Sequence, residues 1–194
     1  MFIAEKGIDI ETIEAGADKQ PNLSAEYLSS SDHRLVPALE LDDGTIIGEA
    51  PVICRYLEEL HPEPALLGES AESRAIVAMW DRKCELEGFQ ACAEILRNKV
   101  SAFEGRALPG YDVPIEQIPA LIERGQVRLQ AFYQKLEKRL ADNQYLAGDS
   151  FSFADITGFC AVEMARAGKN DVPDDCPNVK RWYESIASRP SAKA

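Results

Sequence analysis

Positive charge is what this 194-residue sequence has least of: 21 Lys and Arg stand against 33 Asp and Glu, a formal charge of -12 at pH 7. Such a chain repels phosphate backbones at long range, which disfavours a nucleic-acid partner while leaving room for a local anion pocket. Cysteine is sparse. Cys54, Cys84, Cys92, Cys160 and Cys176 are odd in number and form no CxxC pair, against both a disulfide framework and a zinc site. The two histidines, His33 and His61, have no partner cluster, so no metal is expected. No apolar run approaches the roughly 20 residues of a membrane helix, and no signal-peptide pattern opens the chain. A cytoplasmic protein with no membrane partner is therefore expected. Repeats and low-complexity tracts are also missing. What remains is 45% apolar and 28% charged, sufficient for a buried core in one large domain or two small ones.

The sequence changes grammar near residues 62–70. Before that point short β-like runs and turns dominate; after it, 3.6-residue periodicity takes over. MFIAEKG reads as the last two turns of an amphipathic helix stopped by Gly7. Ile8, Ile10 and Ile13 suggest a short strand, followed by a polar loop through Pro21 and a helical turn at 24–29. Apolar runs on either side of Asp42-Asp43-Gly44 predict a hairpin, because Asp and Gly tolerate positive φ. Pro51 suits the first turn of a helix over 51–60. The prolines of His61–Gly68 make that segment a linker. Long helices are predicted at 71–100 and roughly 117–142, and shorter ones near 152–167 and 178–188. The expectation is a β-containing unit at 1–63 and an all-helical unit at 71–194. A sheet built only from 8–14 and 38–48, behind a helix that begins at Met1, would be poorly covered. An N-terminal strand is thus expected to be missing from this chain.

Three motifs carry chemistry or folding information. Val36-Pro37-Ala38-Leu39 places a proline at the start of a strand. Pro37 either simply opens that strand or follows a cis bond that turns the Val36 backbone groups outward, where an extended peptide can pair with them. Gly48-Glu49-Ala50-Pro51 joins a strand to a helix, where free amides and the positive dipole end favour a carboxylate. Glu49 either stabilises that dipole or receives a ligand ammonium, so an α-amino-acid end would satisfy both halves of the junction. Ser152 and Asp155 are spaced as a capping box, with Phe151 and Ile156 placed as its hydrophobic staple. That is a folding signal, with no catalytic role. Cys54, inside a helix, reads as a structural thiol.

In this order, the motifs resemble the glutathione S-transferase family across essentially the whole chain. MFIAEKGI resembles the end of the family's first helix. VPALELDDGTIIGEAPVICRYLEELHPEPALLG resembles its thioredoxin-like second half, YLAGDSFSFADITGF its helical-domain capping box, and PNVKRWYESIASRPSAKA its C-terminus. The resemblance implies a thioredoxin-like N-terminal domain, an all-helical C-terminal domain and a homodimer. It implies glutathione as co-substrate, transferred to a hydrophobic electrophile. Glu49 and the Ala50 amide would hold the γ-glutamyl end, Val36 and Pro37 the cysteinyl middle, and His33 or Arg34 the glycyl carboxylate, unless that pair is only exposed loop. Two departures stand out. Ala50 occupies a position where the family usually has Ser, so a hydroxyl donor is lost. The family's thiolate-stabilising Ser, Tyr or Cys would precede Met1, so no residue here is assigned that role. A non-catalytic binding module, or a glutathione-dependent isomerase or reductase, are the alternatives on the same scaffold.

Overall fold

A computed structural model of the chain describes residues 1–12, 35–111 and 113–194. Helix α1 covers Phe2–Lys6 and stops at Gly7, whose φ of 63° closes the last turn. The Gly7 and Ile8 N–H groups donate to Ala4 and Ile3 carbonyls at 3.2 and 3.1 Å. Ile8 is therefore committed to the helix end, and residues 8–12 form no strand. This corrects the strand expected from Ile8, Ile10 and Ile13; residue 13 and the expected turn at 24–29 lie outside the described residues.

The hairpin forms as the Asp-Asp-Gly turn requires. Strands β1 (Ala38–Glu40) and β2 (Ile46–Gly48) pair antiparallel with Ala38 opposite Gly48. Gly44 sits at φ 83° and the Asp43 carboxylate accepts from Thr45 N at 2.9 Å. Helix α2 (Ala50–Leu60) follows directly, burying Ile53 and Leu57 on its inner face. Leu39 and Ile47 from the strands pack on the same core.

The helical unit begins with α3 (Ala71–Lys83), capped by Ser70, whose side chain accepts from Ser73 N. The run continues without a break through a π-helical stretch, Cys84–Phe89, into α4 (Gln90–Lys99). One uninterrupted α-helix over 71–100 was the expectation, and the π turn is the correction. It brings Gly88 against the Phe132 ring: an added Cβ would lie 2.6 Å from two ring carbons. Helices α5 (Ala120–Ala141), α6 (Phe153–Ala167) and α7 (Pro177–Ala187) complete the bundle. Phe132, Leu136, Leu140, Val162 and Trp182 form its dry centre. Gly158 of α6 permits that closeness, since a Cβ there would meet Leu146 Cδ1 at 2.8 Å and Cys84 Sγ at 3.2 Å.

Helix α1 ties the two units together. Phe2 meets Phe153 edge-on with ring centroids 5.7 Å apart. The Lys6 side chain is fully enclosed, donates to the His61 and Pro64 carbonyls at 2.7 and 2.5 Å, and contacts Glu58. Glu5 accepts two hydrogen bonds at 2.7 Å from the Arg189 guanidinium near the C-terminus. Hydrogen bonding from Arg189 holds the Glu5 carboxyl below its ordinary range. A depressed carboxyl value contributes stability above the unfolded value of about 4.3 and loses it as pH falls through the folded one. Glu5→Gln should therefore cost on the order of 1 kcal/mol at pH 7 and less at about pH 3. Urea unfolding of both proteins across that range checks it; an equal difference at both pH values would contradict it.

Candidate functional site

The Val36–Pro37 bond is cis, and Val36 is 54% exposed. Of the two readings left open by the sequence, the turned one is present. The cis Val36–Pro37 turn comes directly before Ala38 and Glu49 directly after Gly48, so both flank the end of the hairpin where those two residues pair. The two short motifs, separated by a dozen residues, thus lie at the same end of the hairpin.

Glu49 has φ 66° and ψ 113°, a region that a side-chain-bearing residue enters at a cost of about 1–3 kcal/mol. Its carbonyl accepts from Val52 N at 2.9 Å and Ile53 N at 3.0 Å, which opens α2. Pro51 has no N–H, so among the described residues the Ala50 amide is the free donor of the first turn. Among those residues no side chain engages the Glu49 carboxylate, and the residue is exposed. That backbone starts the helix and leaves an exposed carboxylate next to the Ala50 amide. One negative group and one donor at that spacing suit the ammonium and carboxylate of an amino-acid end. His33 and Arg34, the remaining expected contacts, lie outside the described residues.

Next to this edge, α2 and α3 enclose a cleft of about 580 Å³ floored by Leu67, Val77, Ala78 and Phe153. Pro51 and Arg55 connect it to the first turn of α2. Asp81 lines the cleft and accepts from Thr157 Oγ1 at 2.7 Å, and burial pushes its carboxyl above the ordinary value. Trp80 instead packs into the core, and Arg82 pairs with Glu85 at 2.6 Å on the surface. Cys54 is half-buried, and desolvation raises its thiol to about 12, which keeps it protonated and unreactive at neutral pH. The structural reading of that cysteine agrees with this.

The capping box does more than the sequence suggested. Asp155 is fully buried. One carboxylate oxygen accepts from Leu146 N at 2.8 Å and Trp182 Nε1 at 2.9 Å. The other accepts from Ser152 N at 3.0 Å and Ser152 Oγ at 2.9 Å. Burial pushes its carboxyl upward, and these donors pull it back. The link to Trp182 spans three elements and has no local sequence signal. Phe151, expected to staple Ile156, meets Tyr145 edge-on and carries the Arg189 guanidinium 4.0 Å over its ring.

Comparison with known proteins gives the same picture from outside. Residues 1–65 match the family model described as glutathione S-transferase, N-terminal domain, and residues 91–190 match the corresponding C-terminal domain. Glutathione S-transferase 2 of Saccharomyces cerevisiae is 30% identical over 197 residues, covering 98% of this chain and 80% of its own. The crystal structure of yeast Gtt2 superposes with a TM-score of 0.87 at 28% identity, over 99% of this chain and 90% of that one. A Gtt2-class glutathione S-transferase of Vibrio parahaemolyticus gives a TM-score of 0.81 at 33% identity, over 98% and 86% of the two chains.

Proposed function

The chain belongs to the glutathione S-transferase family, and from that premise we propose that glutathione lies along the Val36–Pro37 edge with its γ-glutamyl end on Glu49 and the Ala50 amide. The fold is thioredoxin-like at the N-terminus and all-helical after it, and the protein is a glutathione transferase with glutathione as co-substrate. The reaction is attack by the glutathione thiolate on an electrophilic carbon, with the sulfur–carbon bond forming as the leaving group departs. Residues 1–63 form the glutathione-binding unit, and residues 71–194 supply the apolar surroundings of a hydrophobic electrophile. His33 or Arg34 completes the site at the glycyl carboxylate. A cytoplasmic homodimer with a detoxifying role follows from the same kinship.

One observation supports this reading: the cis Val36–Pro37 turn and the positive-φ Glu49 lie directly beyond the paired Ala38 and Gly48, with the Ala50 amide next in the chain. Backbone pairing at Val36 gives the peptide its direction, and the amino-acid end gives it register. The Ala50 methyl group removes a hydroxyl that would have donated to the γ-glutamyl carboxylate, a loss of about 1.5–3 kcal/mol in binding. Millimolar rather than micromolar glutathione affinity is therefore expected by calorimetry, with conjugation of 1-chloro-2,4-dinitrobenzene above the uncatalysed rate. Absence of any binding heat at 10-fold higher glutathione would remove the assignment. Binding without turnover over a panel of electrophiles would favour the non-catalytic alternative.

A further inference from the structure

Among the described residues β1 and β2 form a sheet of two strands, so each strand has one side without a neighbour. Leu41 N donates to the Thr45 carbonyl at 2.8 Å, which makes Leu41 and Thr45 a hydrogen-bonded pair. Such pairs alternate along an antiparallel ladder, so Leu39 and Ile47 form the next one. Ala38 and Glu40 occupy the intervening positions, with N–H and C=O turned away from β2. Four main-chain groups therefore line the outer edge of β1 with no partner among the described residues. The outer edge of β2 is less open: Ile46 and Gly48 are half-buried, whereas Ala38 and Glu40 are exposed.

The two faces of β1 differ in character. Leu39 packs against the core beside Ile47, and Glu40 on the opposite face stands in solvent. Leu39 is only half-buried, so apolar surface is left to cover there. Residues 38–54 hold four acids, Glu40, Asp42, Asp43 and Glu49, and no Lys or Arg. A strand laid on this edge meets unpaired main-chain groups, an apolar row toward the core and negative charge toward solvent. A second copy, with the same four acids and a formal charge of -12, is the wrong partner for it.

We propose that the Ala38–Glu40 edge is a docking site for an extended peptide segment of another protein, added antiparallel as a third strand. The segment carries a basic residue opposite Glu40 and a β-branched apolar residue opposite Leu39. Its main chain closes the outward Ala38 and Glu40 groups, which gives affinity, and its alternating basic and apolar side chains give selectivity. Glutathione binding as proposed above uses Val36 and leaves the strand after Pro37 open to this partner.

The test titrates acetyl-Thr-Val-Lys-Val-Thr-amide into the full chain at low salt and follows amide hydrogen exchange by NMR. Without peptide, the Ala38 and Glu40 amides should exchange at least about tenfold faster than the Leu39 amide, which is bonded within the hairpin. Near-saturating peptide should slow both about tenfold and leave Leu39 nearly unchanged. Glutamate in place of the peptide lysine should weaken binding about threefold to tenfold, and Glu40→Lys in the protein should reverse that order. Methylating the lysine main-chain nitrogen keeps the charge, removes one donor and should weaken binding about threefold or more. Should Glu40→Lys fail to fold by circular dichroism, the three peptides on the unaltered chain decide the matter. Slow Ala38 and Glu40 amides without peptide would overturn the proposal, because the edge is then already covered. Sedimentation tells whether a second copy or the chain itself covers it. Protection confined to other amides at millimolar peptide, or equal binding of the lysine and glutamate peptides, would overturn it as well.

Discussion

Glu49→Gln should weaken glutathione binding by about tenfold to a hundredfold, the loss of one charge-assisted contact to the ligand ammonium. The γ-deaminated analogue, glutaryl-cysteinyl-glycine, should bind both proteins with nearly equal affinity, because it brings no ammonium for Glu49 to meet. A double-mutant cycle over the two proteins and two ligands isolates that pair. Stability should move independently of binding. Glu49 stands at φ 66°, where glycine is at ease and a side chain is not. Glu49→Gly should thus weaken glutathione binding like the Gln variant while raising the unfolding free energy by about 1 kcal/mol. A carboxylate that only favoured the helix dipole would give the opposite: Gly and Gln variants both less stable, and glutathione affinity unchanged.

The second large effect is on folding. Asp155→Ala should cost about 3–5 kcal/mol, since it leaves the Leu146 N–H, the Ser152 N–H and the Trp182 indole N–H unpaired in a dry interior. Ser152→Ala removes only one hydroxyl and should cost about 1 kcal/mol. The gap between the two is the informative quantity. A local helix cap would make them similar, whereas a junction joining the Tyr145–Gly148 turn, α6 and α7 separates them. Urea denaturation followed by tryptophan fluorescence measures both. Near-equal losses would show that the Trp182 and Leu146 bonds contribute little.

Much of this was readable in the chain because the signals are local. Gly7 ends α1, Asp42-Asp43-Gly44 turns the hairpin, Pro51 opens α2 and Ser152 opens α6, each through a backbone preference that holds within four residues. The proposed site was legible for the same reason: Pro37 and Glu49 each sit at an element boundary, at the two sides of one hairpin end. What escaped is non-local or breaks a local rule for a tertiary reason. The π turn at Cys84–Phe89 leaves apolar spacing almost unchanged, and its cause, the Gly88 contact with Phe132, comes from a helix more than forty residues away. Lys6 reads as a surface lysine but is enclosed by carbonyls of the linker. Ile8 and Ile10 alternate like a strand, yet the Ile8 amide is consumed by the closure of α1.

Co-crystallisation with glutathione tests the central claim most directly. The tripeptide should run antiparallel to the Val36 backbone, its ammonium within about 3 Å of the Glu49 carboxylate and its γ-glutamyl carboxylate on the Ala50 amide. Density for glutathione elsewhere, or with its amino end turned away from Glu49, would contradict the site while leaving the family membership of the chain intact.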